Sequence, residues 1–283
     1  MNQNITKAIL PLAALSCVHG KMLAQDAARP NILYIMCDDH AMQAISAYGS
    51  PISKLAPTPN IDRLAQRGML FRNCFVENSL STPSRACLMT GLYSHQNGQR
   101  QLAEGIDTTK TFVPELMQKA GYETGIVGKW HMMCRPKGFD YYYILDGQGK
   151  YYNPNFCTTG NYGKYKQEMG YATTLTTQHA IEFLDHRQKD KPFCLYVHHK
   201  APHRSWFAEP KHIGMYDGVD FPLPKTFWDN YENRGSAAKT QKMNIEKDME
   251  LILDFKIPEL LDTSDVESMA SYAGLMGELG RMT

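Results

Sequence analysis

The run Asn31-Ile32-Leu33-Tyr34-Ile35-Met36-Cys37 is apolar almost throughout and ends on Asp38-Asp39. An apolar run of this length predicts a strand covered on both faces, as in a parallel sheet flanked by helices. In open α/β sheets ligands bind beyond the carboxyl ends of the strands. Asp38 and Asp39 stand at such an end. Adjacent carboxylates repel unless a cation or several donors neutralise them. Hard carboxylate oxygens suit calcium or magnesium rather than zinc. A turn cap is the plainer use of an aspartate after a strand, and these residues alone leave both readings open. His40 reads as a neighbouring contact rather than a ligand.

Outward from this run, strand and helix signals alternate. Thr58-Pro59 opens a helix that Gly68 closes. Residues 69–76 read as a second strand and 112–120 as a helix ended by Gly121. Residues 123–127 read as a short strand, 174–187 as a helix and 193–197 as another buried strand. The alternation predicts an α/β fold with a mainly parallel sheet and helices on both faces. Residues 132–173, rich in Gly, Tyr and Asn, read as a long irregular insertion, and 207–262 as mostly irregular. Polar candidates follow each expected strand: Asp38-Asp39, then Ser81, then Lys129 and His131, then His198, His199 and His203. Core packing does not account for four strands delivering such groups to one edge. Alternation along a strand lets only one of His198 and His199 face the site.

Ser81-Thr82-Pro83-Ser84-Arg85-Ala86-Cys87-Leu88-Met89-Thr90-Gly91 places a hydroxyl at the start of a helix. Proline suits the first helical position, so Ser81 or Thr82 is the expected N-cap. Free amides and the helix dipole favour an anion there, and Arg85 adds a fork of donors for an oxyanion. That is a site for a phosphate or sulfate ester. An ordinary capped helix with a surface arginine accounts equally well for this segment alone.

The chain has 283 residues, 43% of them hydrophobic, which suffices for a sizeable core. Thirty Lys and Arg against 29 Asp and Glu give no support for nucleic-acid or membrane-surface binding. The seven cysteines share no short spacing, which argues against a zinc site or a dense disulfide framework. Cys37 and Cys194 read as buried thiols. Lys7 followed by the apolar stretch 8–18 reads as an export signal, with residues 1–24 removed after Ala24. The expected location is the periplasm, or the cell surface if Cys17 is lipidated. No other stretch is long and apolar enough to be transmembrane.

The Ser81–Gly91 run resembles the signature of the type I sulfatases, in which a Cys or Ser before x-Pro-Ser-Arg is oxidised to formylglycine. Gly121-Tyr122-Glu123-Thr124-Gly125-Ile126-Val127-Gly128-Lys129-Trp130-His131 is similar to that family's second signature. The resemblance implies an alkaline-phosphatase-like sulfatase fold and a calcium ion held by Asp38, Asp39 and the modified Ser81. It implies a maturase partner that converts Ser81, a lysine (Lys129) on a sulfate oxygen, and a histidine (His131) that takes a proton from the formylglycine hydrate. His203, in Ala201-Pro202-His203, resembles the histidine that faces the leaving oxygen. The segments 145–154 and 201–206 look like those of N-acetylglucosamine-6-sulfatases. The implied substrate is a sulfated glycan, with Asp146, Tyr152, Asn153, Arg204 and Trp206 as candidate sugar contacts. Tyr151, Tyr152 and Trp206 serve equally well as packing residues. Ser264-Asp265-Val266-Glu267 reads as a capping box opening a helix. No later strand ending in Asp-Asn-Gly or Asp-His-Gly follows, so the chain reads as the N-terminal catalytic part, 29–283, of such an enzyme. Activity of this stretch alone stays open. The alternatives are an inactive or glycan-binding remnant and a phosphate-ester hydrolase using Ser81 directly.

Overall fold

The structure, a computed structural model, describes residues 29–282. The expected export signal, with Cys17, lies outside them. A six-stranded sheet runs through the body from Asn31 onward, in the order β1-β6-β2-β3-β4-β5. The strands are β1 (Ile32–Cys37), β2 (Glu123–Gly128), β3 (Tyr141–Leu145), β4 (Asn155–Thr158), β5 (Lys166–Gln167) and β6 (Phe193–His199). β1, β6, β2 and β3 are mutually parallel, while β4 and β5 join antiparallel. The helices are α1 (Pro59–Arg67), α2 (Ser81–Thr90), α3 (Ser94–Asn97), α4 (Val113–Lys119), α5 (Ala172–His186), α6 (Ser236–Thr240) and α7 (Val266–Leu279).

β6 and β2 lie inside the sheet and are buried along nearly their whole length. Ile126, Val127 and Leu195 are fully buried, and each such side chain withdrawn from water stabilises the fold by about 1.5–3 kcal/mol. Alternation sends Ile126, Cys194 and Tyr196 to one face, where they meet Ala86 and Met89 of α2 and Phe112 before α4. Val127, Leu195 and Val197 go to the other face, under Ala180 and Phe183 of α5. Helices therefore cover both faces of the sheet centre, as the alternation predicts.

Five readings of the sequence are corrected. β1 is an edge strand, and Leu33 and Ile35 are 49% and 53% exposed. Its apolar run is not covered on both faces among the described residues. Cys37 is exposed with it, whereas Cys194 is buried. Residues 69–76 form no strand, and Phe75 is 88% exposed, so three strands rather than four deliver polar groups to the edge. The 132–173 stretch is not an irregular insertion: it supplies β3, β4 and β5. Strands of two to five residues separated by Gly-bearing turns carry too short a period to read. Residues 207–262 hold only α6 and short 3₁₀ turns, as expected. The helix after them is capped by Asp265, whose Oδ2 accepts from the Ser268 amide at 2.6 Å, rather than by Ser264.

Candidate active site

The carboxyl ends of β1, β6 and β2 lie side by side, with Cys37 opposite His199 and Gly128 opposite His198. The chain turns at Gly128, which has φ +89°, and a Cβ there would lie 2.0 Å from the His198 carbonyl oxygen. Only glycine fits that approach. It lets the Lys129 amide donate to the His198 carbonyl at 2.7 Å and aims the lysine across the strand ends.

Asp38 accepts from Lys129 Nζ through Oδ2, and its Oδ1 lies 3.4 Å from Arg85 Nη2. All three side chains are buried. Burial alone would raise the Asp38 carboxyl, but the Lys129 hydrogen bond and the charges of Lys129 and Arg85 hold it below its ordinary value. Burial pushes the Lys129 amine down to about 8, against the opposing pull of Asp38. Lys129 also donates to Gln148 Oε1. Asp39 is the exposed member of the pair, with φ +59° and its Oδ2 3.7 Å from His203 Nε2. His203 Nδ1 lies 2.6 Å from the Arg204 carbonyl oxygen. A carbonyl only accepts, so Nδ1 carries a proton and Nε2 is the atom that faces Asp39.

Ser81 is the first residue of α2. The helix starts earlier than the proline suggests: Leu80 stands at the N-cap, with no side-chain cap bond, and Pro83 lies inside the first turn. Ser81 and Arg85 are four residues apart and share a face, with Arg85 Nε 3.5 Å from Ser81 Oγ. His131 Nδ1 is 3.4 Å from Ser81 Oγ and 3.4 Å from Thr82 Oγ1. Burial, reinforced by the charges of Lys129 and Arg85, depresses the His131 imidazole to about 4. It is therefore neutral near pH 7 and free to accept a proton. Arg85 Nη1 donates to the Lys129 carbonyl at 2.6 Å.

Ser81, Arg85, Lys129, His131, Asp38, Asp39 and His203 are thus gathered at one edge. Gln148 and Lys200 join them and were not singled out from the sequence. Lys200 is 7% exposed, with Nζ 4.8 Å from the Tyr151 ring centre, and burial lowers its pKa. Its place one residue beyond β6 was the available signal. Three cations, Arg85, Lys129 and Lys200, face two carboxylates, which suits an incoming anion.

The candidate sugar contacts do not gather in the same way. Asp146 is exposed on a turn closed by the Gly149 amide at 2.8 Å. Tyr152 is buried against Tyr171 and Phe207 and donates to the Ala208 carbonyl. Asn153 binds the Gly170 amide at 2.7 Å and the Arg281 carbonyl. Arg204 is paired with Asp254, and Trp206 is 40% exposed. Tyr152, Asn153 and Arg204 are engaged in internal bonds, which leaves Asp146 and Trp206 open to a ligand.

Among the described residues no three His, Cys, Asp or Glu side chains are grouped to hold a metal ion. Asp38 and Asp39 match calcium in chemistry, since both offer hard oxygen donors. They fall short in number, since calcium takes six to eight oxygens, and Asp38 is engaged by cations of the protein.

Comparison with known proteins places the chain in a family. The family model "Sulfatase" matches residues 30–279. An N-acetylglucosamine-6-O-sulfatase of Bacteroides thetaiotaomicron is 44% identical over 91% of this chain and 46% of its own length. Human N-acetylgalactosamine-6-sulfatase is 31% identical over 81% of this chain and 48% of its own. A solved structure of a protein bound to its substrate, D-glucosamine-2-N,6-O-disulfate, superposes with a TM-score of 0.77 at 42% identity, covering 89% of this chain and 53% of that one. The chain spans about half the length of the curated relatives it matches.

Proposed function

The chain belongs to the sulfatase family, and from that premise we propose that its site serves hydrolysis of a sulfate ester on a glycan, with 6-O-sulfated N-acetylglucosamine as the substrate. The observation that carries this reading is the junction of Ser81 Oγ, Arg85 Nε and His131 Nδ1 within 3.5 Å beside the buried Lys129. The 44% identity to an N-acetylglucosamine-6-O-sulfatase supports the choice of sugar.

Oxidised to formylglycine by a maturase and hydrated, residue 81 would supply one oxygen to attack sulfur and a second whose deprotonation lets sulfate leave. The surroundings of Ser81 fit that group, because a cation and a neutral base both approach its oxygen. Arg85 presents donors to the sulfate oxygens, and Lys129 adds a second positive group. Donors fixed in place before reaction stabilise developing charge most effectively. His131 takes the proton from the oxygen on residue 81, and His203 Nε2 is placed to hold a proton for the departing sugar oxygen. Asp38 and Asp39, with the oxygen of residue 81, offer oxygen donors toward the calcium ion that the family resemblance implies, but they are too few to hold it without further ligands. The expected setting is exported, where sulfated glycans are met. No helix among the described residues is long and apolar enough to cross a membrane.

Calorimetry tests the reading. The protein is expected to bind N-acetylglucosamine 6-sulfate in preference to unsulfated N-acetylglucosamine, with the preference lost in Arg85→Ala. Equal binding of the two sugars, or a preference that survives Arg85→Ala, would contradict it.

A further inference from the structure

The guanidinium of Arg85 is held from behind. Its Nε and Nη2 edge is turned towards Ser81 Oγ, at 3.5 Å, and Asp38 Oδ1, at 3.4 Å. Its Nη1 corner points the other way, to the Lys129 carbonyl at 2.6 Å and to His198 Nδ1 at 3.1 Å. His198 sits on β6 between Met36 of β1 and Gly128 of β2, is 1% exposed, and belongs to none of the roles assigned above.

Arginine has no lone pair to offer and stays charged. Any hydrogen bond between Arg85 and the ring is therefore one that Nδ1 accepts. The Lys129 carbonyl is also near Nδ1, at 3.2 Å, so a competing tautomer would donate from Nδ1 to that oxygen. In that tautomer an Nη1 hydrogen would meet a ring hydrogen. With Nδ1 unprotonated, the two Nη1 hydrogens are divided between carbonyl and ring, and both are satisfied. The ring proton then sits on Nε2, which has no hydrogen-bond partner, and the His198 ring packs edge-on with Tyr34 and Tyr196, ring centre to ring centre 6.0 and 5.9 Å. Full burial and the Arg85 charge keep the ring neutral. Arg85 Nη2 is itself buried without a hydrogen-bond partner, a donor left for a ligand.

We propose that His198 is a positioning residue: its Nδ1 takes one hydrogen of Arg85 Nη1, which aims the Nε and Nη2 fork of that arginine at the anion held beside Ser81. This rests on the sulfate-ester reading of the site. A planar fork presented in a fixed orientation gives two parallel bonds to an oxyanion, and freedom to swing would cost affinity without removing charge.

Two measurements on the 283-residue protein test it, with inorganic sulfate as the probe. Calorimetry compares wild type with His198→Asn, which keeps an acceptor close to the ring Nδ1, and His198→Leu, which has none. The expected result is sulfate affinity within about threefold of wild type for Asn and a loss of roughly tenfold for Leu, the scale of one charge-assisted hydrogen bond. Nitrogen-detected histidine spectra, with His198 assigned by its absence in His198→Asn, are expected to show Nδ1 unprotonated and Nε2 protonated. Sulfate affinity unchanged in a folded His198→Leu, or a protonated Nδ1, would overturn the proposal. Should His198→Leu fail to fold, the wild-type tautomer decides alone. Absence of sulfate binding by wild type would instead refute the sulfate-ester reading, and the inference with it.

Discussion

Lys129, Asp38 and Arg85 form a buried charge cluster whose energetics a double-mutant cycle can expose. Lys129 is fully buried and the Asp38 side chain is 8% exposed. Breaking a buried pair by removing one partner costs about 3–5 kcal/mol, because the remaining charge is stranded. In Lys129→Met the Asp38 carboxylate keeps Arg85 at 3.4 Å. At an effective dielectric of 20 that contact is worth roughly 5 kcal/mol of attraction before desolvation, so the loss falls at the lower end, about 3 kcal/mol. Asp38→Asn strands two cations and falls at the upper end, about 5 kcal/mol. The double variant leaves only Arg85 without its carboxylate, so it should lose less than Asp38→Asn alone, about 3 kcal/mol. For a domain of this size each kcal/mol moves the melting temperature by about 2–4 °C. Urea unfolding of the four proteins measures the cycle. Additive losses, with the double variant down by about 8 kcal/mol, would refute the reasoning, because they would mean that the two charges do not meet.

The same lysine sets a pH dependence. Its amine lies at about 8 in the folded protein against an ordinary 10.5, so between these values the unfolded chain binds more protons. Stability therefore rises as pH climbs from about 8 to 10.5, because the desolvation of the charged amine is relieved while Asp38 keeps Arg85 beside it. Wild type minus Lys129→Met, followed by urea midpoints across that window, should rise; a flat or falling difference would contradict the placement of Lys129. Calcium should bind this chain only weakly, because Asp38 is already paired and two carboxylates are too few donors. Calorimetry should find heat that Asp39→Ala abolishes, and tight binding indifferent to both aspartates would reject the assignment.

What the sequence showed of this arrangement follows from how local each signal was. β2 and β6 were legible because each carries a local apolar stretch that stops at polar residues, Lys129 just after β2 and His198-His199 at the end of β6. The Ser81 and Arg85 pair was legible because four residues along a helix is one turn. The two signatures placed Lys129 and His131, and the strand-end rule placed Asp38 and His203. β1 was read as a strand correctly but as covered wrongly, since coverage depends on which strands become neighbours and not on the run itself. Residues 69–76 carry the composition of a strand without a ladder partner among the described residues. The contact of His198 with Arg85, and of Gln148 with Lys129, joins residues 113 and 19 positions apart. No local period reports such pairings. The bonds of the Tyr152 hydroxyl and the Asn153 amide to backbone groups of their own fold are likewise long-range and had no local signal.

The central claim is that Ser81 is the reacting residue of a sulfatase site, and one measurement bears on it most directly. The protein is co-expressed with an active serine-type maturase and the peptide containing Ser81 is weighed by mass spectrometry. The account predicts a loss of two hydrogens located at Ser81, the mass change of oxidation from the alcohol to the aldehyde. Serine left wholly unmodified beside an active maturase would contradict it, and would return Ser81 to the role of an ordinary residue in the first turn of α2.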